Sequence, residues 1–115
     1  MMEDTRSKKV LVPLAPGCEE LEAVTIVDIL RRGGIEVVTA APGKGTIKAS
    51  RGVMLVADAA LPDIIDNNDF DMVVIPGGMG GAQALMHNQD FIGYLKRMAG
   101  AGRFIGAICA APMIL

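Results

Sequence analysis

The sequence has no tryptophan, and it has only one tyrosine and three phenylalanines among 115 residues. An aromatic-rich interior is therefore excluded, and the core must be built from aliphatic side chains, methionine and alanine. Hydrophobic residues nevertheless make up 51% of the chain, and its mean hydropathy is +0.41. Such a value is typical of parallel sheets, whose strands are buried on both faces. The composition therefore favours the α/β class.

Histidine and cysteine are also scarce, which limits the chemistry available to the chain. One histidine, His87, and two distant cysteines, Cys18 and Cys109, do not reproduce the ligand spacing of a metal site. Two cysteines are likewise not the disulfide framework of a small secreted protein. We therefore expect no metal site and a reducing, cytoplasmic compartment.

Strong charge and long apolar runs are absent as well. The formal net charge of −2 provides no basic surface for nucleic acid and no polybasic segment for a membrane. The longest uncharged apolar run, residues 104–115, is too short to span a bilayer. The charged start MMEDTRSKK is not typical of a signal peptide.

The length predicts a single domain over residues 1–115.

Short apolar runs alternate with helical patterns along the chain. Strands are predicted at residues 8–15, 35–40, 71–75 and 103–108, with one or two more between 46 and 61. Helices are predicted at residues 19–32 and 81–98, the second interrupted near Asn88. The stripe of the first helix that is expected to face the core consists of Leu21, Val24, Val27 and Leu30, widened by Ile26. This order predicts a mainly parallel sheet with helices on both faces.

Three segments fall where predicted strands end, namely residues 17–22, residues 76–81 and Cys109. In parallel sheets, ligands bind beyond the carboxyl ends of the strands. These segments are far apart in sequence, but the fold places them at one edge of the sheet. They are therefore candidates for a single site.

Cys109 stands between an apolar strand and a predicted helix, among small neighbours. A tight strand-to-helix turn exposes such a side chain and places it near the positive end of the helix dipole, where a thiolate is favoured. Gly106, Ala107, Ala110 and Ala111 leave room for a tight turn. The alternative is a small buried cysteine, since free cysteines are among the most buried residues. Cys109 is thus either a nucleophile or a packing residue.

The glycine-rich stretch PGGMGG, residues 76–81, follows a strand and precedes a helix. It lacks the last glycine of the dinucleotide fingerprint and the Lys-Ser/Thr ending of a P-loop. Its backbone N–H groups are candidates to stabilise an oxyanion, and the alternative is a flexible turn.

The first helix opens with the acidic residues Glu19, Glu20 and Glu22. A carboxylic acid near a thiolate can donate a hydrogen bond and shuttle a proton. The alternative is that these acids only complement the helix dipole. In isolation, Arg51 is best interpreted as a solvated loop charge, Cys18 as an ordinary buried or semi-exposed thiol, and His87 as a surface histidine.

Five segments, APGCEELEAV, LRRGGIEV, SRGVMLVAD, DMVVIPGGMGGAQ and GAICAAPMIL, resemble the DJ-1/ThiJ/PfpI family in order and spacing. The resemblance covers the chain after Lys8. It implies a flavodoxin-like three-layer sandwich with a mainly parallel sheet, and it implies a homodimer. Relatives are usually longer, so we expect this domain to be incomplete at its C-terminus. The missing elements are expected to exist as a second chain or as a segment that has been removed.

The same resemblance assigns roles to individual residues. The family's nucleophilic cysteine falls on Cys109, and the glutamate that bonds its thiol falls on Glu22. The backbone amides facing the substrate fall on Gly78, with Gly77 beside it, and on Ala110. An arginine near the neighbouring subunit's site falls on Arg51, and its acidic partner falls on Glu19. The histidine that many relatives carry after the nucleophile has no counterpart after Cys109.

The function that the resemblance implies is cofactor-independent glyoxalase or deglycase chemistry. The expected substrates are 2-oxoaldehydes such as methylglyoxal, or their adducts. The alternative within the family is a cysteine-based sensor of oxidative stress, or a chaperone. A sensor is consistent with an exposed thiolate, which peroxide oxidises readily.

Overall fold

A computed structural model describes residues 8–66, 70–109 and 111–114, with the side chains of residues 113 and 114 excepted. The elements alternate as the sequence predicts. In chain order they are β1 (Lys9–Pro13), α1 (Glu20–Arg32), β2 (Glu36–Ala41), β3 (Thr46–Lys48), β4 (Met54–Val56), β5 (Ala59–Ala60), α2 (Leu61–Ile64), β6 (Met72–Ile75), α3 (Met79–Met86), α4 (Gln89–Gly100), β7 (Phe104–Ala107) and a 3₁₀ helix (Ala111–Ile114).

Five of the strands form one parallel sheet in the order β5-β2-β1-β6-β7. The strand order reverses on either side of β1, so β1 and β6 begin the two halves of the sheet. β3 and β4 form a separate antiparallel hairpin. The prediction of an α/β fold with a mainly parallel sheet is confirmed.

Side chains along β1 alternate between two buried clusters, one on each face of the sheet. Leu11 packs with α2, α3 and α4, where Leu85 and Phe91 are buried. Val10 and Val12 pack with α1 and the hairpin. The strand is therefore buried on both faces, which explains the high hydropathy of a chain with few aromatic residues.

The face of α1 that packs on the sheet differs from the predicted stripe. Ala23 is buried, and Ile26, Val27 and Leu30 pack beside it. Leu21 and Val24, which the stripe included, are 73% and 52% exposed. The helical period located the apolar positions, but Ala23 rather than Leu21 or Val24 lies on the face that packs on the sheet.

The ends of the helices follow local capping rules. Glu19 is the N-cap of α1, and its Oε1 accepts a hydrogen bond from Leu21 N at 2.9 Å. Asn88 separates α3 from α4 and caps α4 by accepting from Phe91 N at 3.0 Å. The predicted interruption near Asn88 is confirmed. Within residues 8–66, 70–109 and 111–114, no helix is both long and apolar enough to cross a membrane.

Phe91 and Phe104 form a matched pair for testing this assignment of the core, because Phe91 is fully buried and Phe104 is 72% exposed on edge strand β7. Phe91→Ala should lower the free energy of unfolding by about 3–5 kcal/mol, since it removes transfer free energy and leaves a cavity. Phe104→Ala should change it by about 0.5 kcal/mol or less. Urea unfolding followed by circular dichroism measures both. Equal losses in the two variants would contradict the described core.

Candidate active site

The ends of β1, β6 and β7 bring the three predicted segments together. Glu19 N donates to Gly77 O at 2.9 Å, which joins the start of α1 to the loop after β6. Ile108 N donates to Ile75 O at 3.2 Å, which joins the end of β7 to the end of β6, where that loop begins. The predicted convergence of residues 17–22, 76–81 and Cys109 is therefore observed.

Cys109 is exposed and lies in a strained turn. Its φ of +57° is in the left-handed region, which no other non-glycine residue of the described ranges adopts. Such strain persists only where the surroundings impose it, and it is concentrated at functional sites. The alternative of a buried packing cysteine is wrong for Cys109. The strand end turns the side chain outward.

A helical segment follows Cys109, as the sequence predicts. It is a 3₁₀ helix of four residues, Ala111–Ile114, and Ala111 N donates to Ile108 O at 2.9 Å. The turn that follows Cys109 is therefore 3₁₀ rather than α-helical in the described residues. Ala110, the predicted second amide donor, lies outside the described residues.

Glu22 and Cys109 meet at Gly77. Gly77 N donates to Glu22 Oε1 at 2.9 Å. A Cβ placed on Gly77 would collide with Glu22 Oε1 and would lie 2.5 Å from Cys109 Cβ. The carboxylate and the thiol-bearing carbon therefore flank the same backbone position. Only glycine leaves room for both.

The hydrogen bond to Glu22 changes what the glycine loop can offer a substrate. The Gly77 N–H is already occupied by the carboxylate, so it is not a free oxyanion donor. The Gly78 N–H has no hydrogen-bond partner among the described residues. Gly78 also adopts φ +100° at the N-cap of α3. Of the two glycine amides that the sequence suggested, Gly78 is the one that is available.

Glu20 has a role that the sequence did not reveal. Its carboxylate accepts from Ser50 Oγ at 2.9 Å, Arg51 N at 2.9 Å and Val53 N at 3.3 Å. Desolvation acts to raise the pKa of this carboxyl, but hydrogen bonds from its own backbone, from Ser50 and from the turn amides together hold the pKa below its usual value. Glu20 thus fixes the β3–β4 turn to the start of α1. No local motif signals this, because the partners are about 30 residues apart.

Glu19 and Arg51 lie on the same side of the site, but their side chains do not form an ion pair in the described part of the chain. Glu19 caps α1, and its Oε2 accepts from Ser50 Oγ at 3.4 Å. Arg51 is exposed, and it is its backbone N–H that bonds to Glu20. Within one chain, the acid that contacts the Arg51 turn is therefore mainly Glu20 rather than the Glu19 suggested by the resemblance.

The second cysteine and the histidine are not part of this site. Cys18 is buried, and burial raises its pKa to about 11, with the nearby charge of Glu20 adding to the effect. His87 is exposed at the end of α3, with its Nδ1 2.8 Å from Gln83 O. Across residues 8–66, 70–109 and 111–114, no group of three histidine, cysteine, aspartate or glutamate side chains is arranged to hold a metal ion.

Comparison with known proteins places the chain among relatives of one family. Residues 8–115 match the model of the DJ-1/PfpI family. The chain is 44% identical to Protein DJ-1 homolog B of Arabidopsis thaliana, over 93% of this chain and 24% of that protein. It is 38% identical to the glutathione-independent glyoxalase DJR-1.2 of Caenorhabditis elegans, over 94% of this chain and 58% of that protein.

A solved structure shows the same fold. The crystal structure of Drosophila melanogaster DJ-1beta matches with a TM-score of 0.93 and 41% identity, over 96% of this chain and 59% of that chain. The chain therefore spans between a quarter and three fifths of the length of these relatives.

The two thiols should differ sharply in reactivity. At pH 8, iodoacetamide should modify Cys109 in the folded chain and leave Cys18 unmodified, because Cys18 is buried and only about 0.1% of a thiol with a pKa near 11 is ionised at that pH. Cys18 should react only after denaturation. Mass spectrometry of the intact chain and its peptides measures this. Rapid modification of native Cys18 would contradict the described burial.

Proposed function

The chain belongs to the DJ-1/PfpI family, and we propose that the protein is a cofactor-independent enzyme of the glyoxalase or deglycase type. Its proposed substrates are 2-oxoaldehydes such as methylglyoxal, or their adducts. The observation that carries this proposal is the approach of Glu22 and Cys109 to the same backbone position, Gly77. An acid beside an exposed thiol is the minimum that such chemistry requires.

The proposed reaction begins with attack of the Cys109 thiolate on the aldehyde carbon of the 2-oxoaldehyde. A C–S bond forms, and the carbonyl oxygen takes up a proton to give a hemithioacetal. Glu22 then removes the proton from the former aldehyde carbon and delivers a proton to the neighbouring carbon. The hemithioacetal hydroxyl proton passes to the ketone oxygen, the sulfur-bearing carbon is oxidised by two electrons and its neighbour is reduced by two, so the product is a thioester of a 2-hydroxy acid. Water cleaves the thioester, releasing the acid and regenerating the thiol.

The backbone supports this chemistry at two points. The Gly77 N–H fixes one oxygen of Glu22, which orients the carboxylate for proton transfer. The Gly78 N–H is proposed to stabilise the negative oxygen of the attacked carbonyl, together with the N–H of Ala110. Gly78 is suited to this role because its amide is not engaged by another described residue.

The alternative role is a sensor in which peroxide oxidises Cys109. The exposure of this thiol favours it, because susceptibility to oxidation depends on access. An exposed free cysteine also fits the proposed cytoplasmic location, where thiols are kept reduced. A sensor gains oxygen at Cys109 once per chain, whereas an enzyme turns over many aldehyde molecules.

We also propose that the protein is a homodimer that associates through the outward face of α1 and the hairpin. Exposed apolar residues there include Leu21, Val24, Val53, Met54 and Val56. Val24 and Val56 line one cavity of about 170 Å³, whose walls also include Arg31 and Asp58, so the helix and the hairpin form a continuous surface. Apolar patches of this kind mark interaction sites. Glu19 and Arg51 border this surface, consistent with their proposed position near the dimer contact.

Substitutions at the two proposed catalytic residues should separate their roles. Cys109→Ala should reduce methylglyoxal turnover to background, because no covalent intermediate can form. Glu22→Gln should lower kcat by about 10²–10⁴-fold, the usual contribution of general acid–base catalysis. Cys18→Ala, at the buried thiol, is the matched control and should retain turnover. Lactate release from methylglyoxal measures all three.

Undiminished turnover in Cys109→Ala would refute the enzymatic proposal. If the unsubstituted protein shows no turnover but mild peroxide adds oxygen stoichiometrically at Cys109, the sensor is the correct role.

The dimer proposal is tested by placing charge on its surface. Leu21→Glu and Val56→Glu should shift the protein toward monomer, because a buried unpaired carboxylate at an interface is unfavourable. Phe104→Glu, at an exposed apolar residue on β7 outside this surface, should leave the association state unchanged. Sedimentation velocity over a range of concentrations measures the effect. A monomer–dimer equilibrium sensitive only to Phe104 would place the interface elsewhere.

A further inference from the structure

Glu22 and Cys109 are carried by different parts of the fold. Glu22 belongs to α1, which follows β1, whereas Cys109 follows β7, which is paired with β6. The ladder between β1 and β6 pairs Val10 with Met72 and Leu11 with Val73. This pairing lies at the start of the two strands. At their carboxyl ends, another contact must set the distance between the two parts.

That contact is a backbone-to-backbone interface between residues 17–19 and residues 77–81. A Cβ on Gly81 would lie 2.8 Å from Cys18 Cα and 2.9 Å from Cys18 N. A Cβ on Gly80 would lie 3.2 Å from Gly17 Cα, which is a milder conflict. The start of α3 therefore packs directly on the backbone of the turn that precedes α1.

The glycines are unfavourable for the helix that contains them. Gly80 and Gly81 occupy the first turn of α3, where alanine has the higher helix propensity. Propensity therefore does not explain the sequence Met79-Gly-Gly-Ala82, but the close approach does. At Gly81 the atoms that a methyl group would meet are backbone atoms, which cannot rotate away.

We propose that Gly81 is a positioning residue that sets the separation of Glu22 and Cys109 across Gly77. A methyl group at this position forces the loop after β6 away from the turn before α1. The two hydrogen bonds that span the gap, Glu19 N to Gly77 O and Gly77 N to Glu22 Oε1, are both 2.9 Å and must then lengthen. Cys109 moves with the loop, and Glu22 does not. The inference rests on the proposed function because it takes Glu22 and Cys109 as the working pair.

The test measures the influence of Glu22 on the Cys109 thiol without relying on turnover. The rate constant for alkylation of Cys109 by iodoacetamide is measured in the unsubstituted protein and in the Glu22→Gln variant. The quantity compared is the ratio of these two rate constants. Their ratio should differ from one by about threefold or more, as expected for groups in contact. The same ratio is then measured in Gly81→Ala, and in Gly100→Ala, where an added methyl group meets nothing within 4 Å.

With Gly81→Ala the ratio should fall to about 1.5-fold or less, because Glu22 and Cys109 are no longer held against the same glycine. With Gly100→Ala it should keep its original value. Urea unfolding and circular dichroism establish that each variant is folded. A general loss of stability changes both members of a pair alike, so it does not move the ratio.

Gly80→Ala is a second variant with a milder steric conflict. It tests the proposal if Gly81→Ala does not fold. Its ratio should lie between the value for Gly100→Ala and one, because the conflict at Gly80 is milder than that at Gly81. A ratio that is unchanged in folded Gly81→Ala, or in Gly80→Ala where that variant is the one that folds, overturns the inference. So does a ratio of one in the unsubstituted background. If the ratios follow the expected order while methylglyoxal is not turned over, the positioning role is supported and the proposed function fails.

Discussion

Two turns that touch backbone to backbone determine how the rest of this structure is arranged. At Gly78 an added Cβ would lie 2.6 Å from both Glu19 N and Gly17 O, so no side chain can separate the turns. α1 starts from one turn and α3 from the other. The contact therefore fixes the origins of both helices, one on each face of the sheet. It also brings Glu22 within reach of the Gly77 amide.

This close contact requires backbone conformations that are unfavourable in free energy. The buried clusters on the two faces of the sheet offset that cost. Gly17, Gly78 and Cys109 all adopt positive φ, and for Cys109 such a conformation is strained. The strands themselves are regular and buried on both faces of the sheet. The strain is thus confined to the strand ends, where a substrate can reach the backbone, and the ordinary packing of the sheet maintains it.

The sequence predicted those features that depend on local pattern. The apolar runs of β1 and β6 indicated buried parallel strands, and the small residues around Cys109 indicated a tight turn. Features that depend on distant partners were not predictable. The period of α1 revealed apolar positions but not which of them the sheet covers, so Leu21 and Val24 were assigned to the wrong face. The attachment of Glu20 to the Ser50 turn has no local signal, because it joins residues about 30 positions apart.

The two cysteines show how far backbone geometry overrides local composition. Cys18 lies between a glycine and a glutamate, a context typical of an exposed turn, yet it is 2% exposed because the start of α3 packs on its backbone. Cys109 lies between Ile108 and Ala110, a context typical of a buried residue, yet it is exposed because its positive φ turns it out of the strand end. Hydropathy around each thiol therefore predicts the reverse of its accessibility. Both cysteines lie at the same edge of one sheet, so their position in the fold does not explain the difference. The local path of the backbone does: it buries the Cys18 thiol and exposes the Cys109 thiol to solvent.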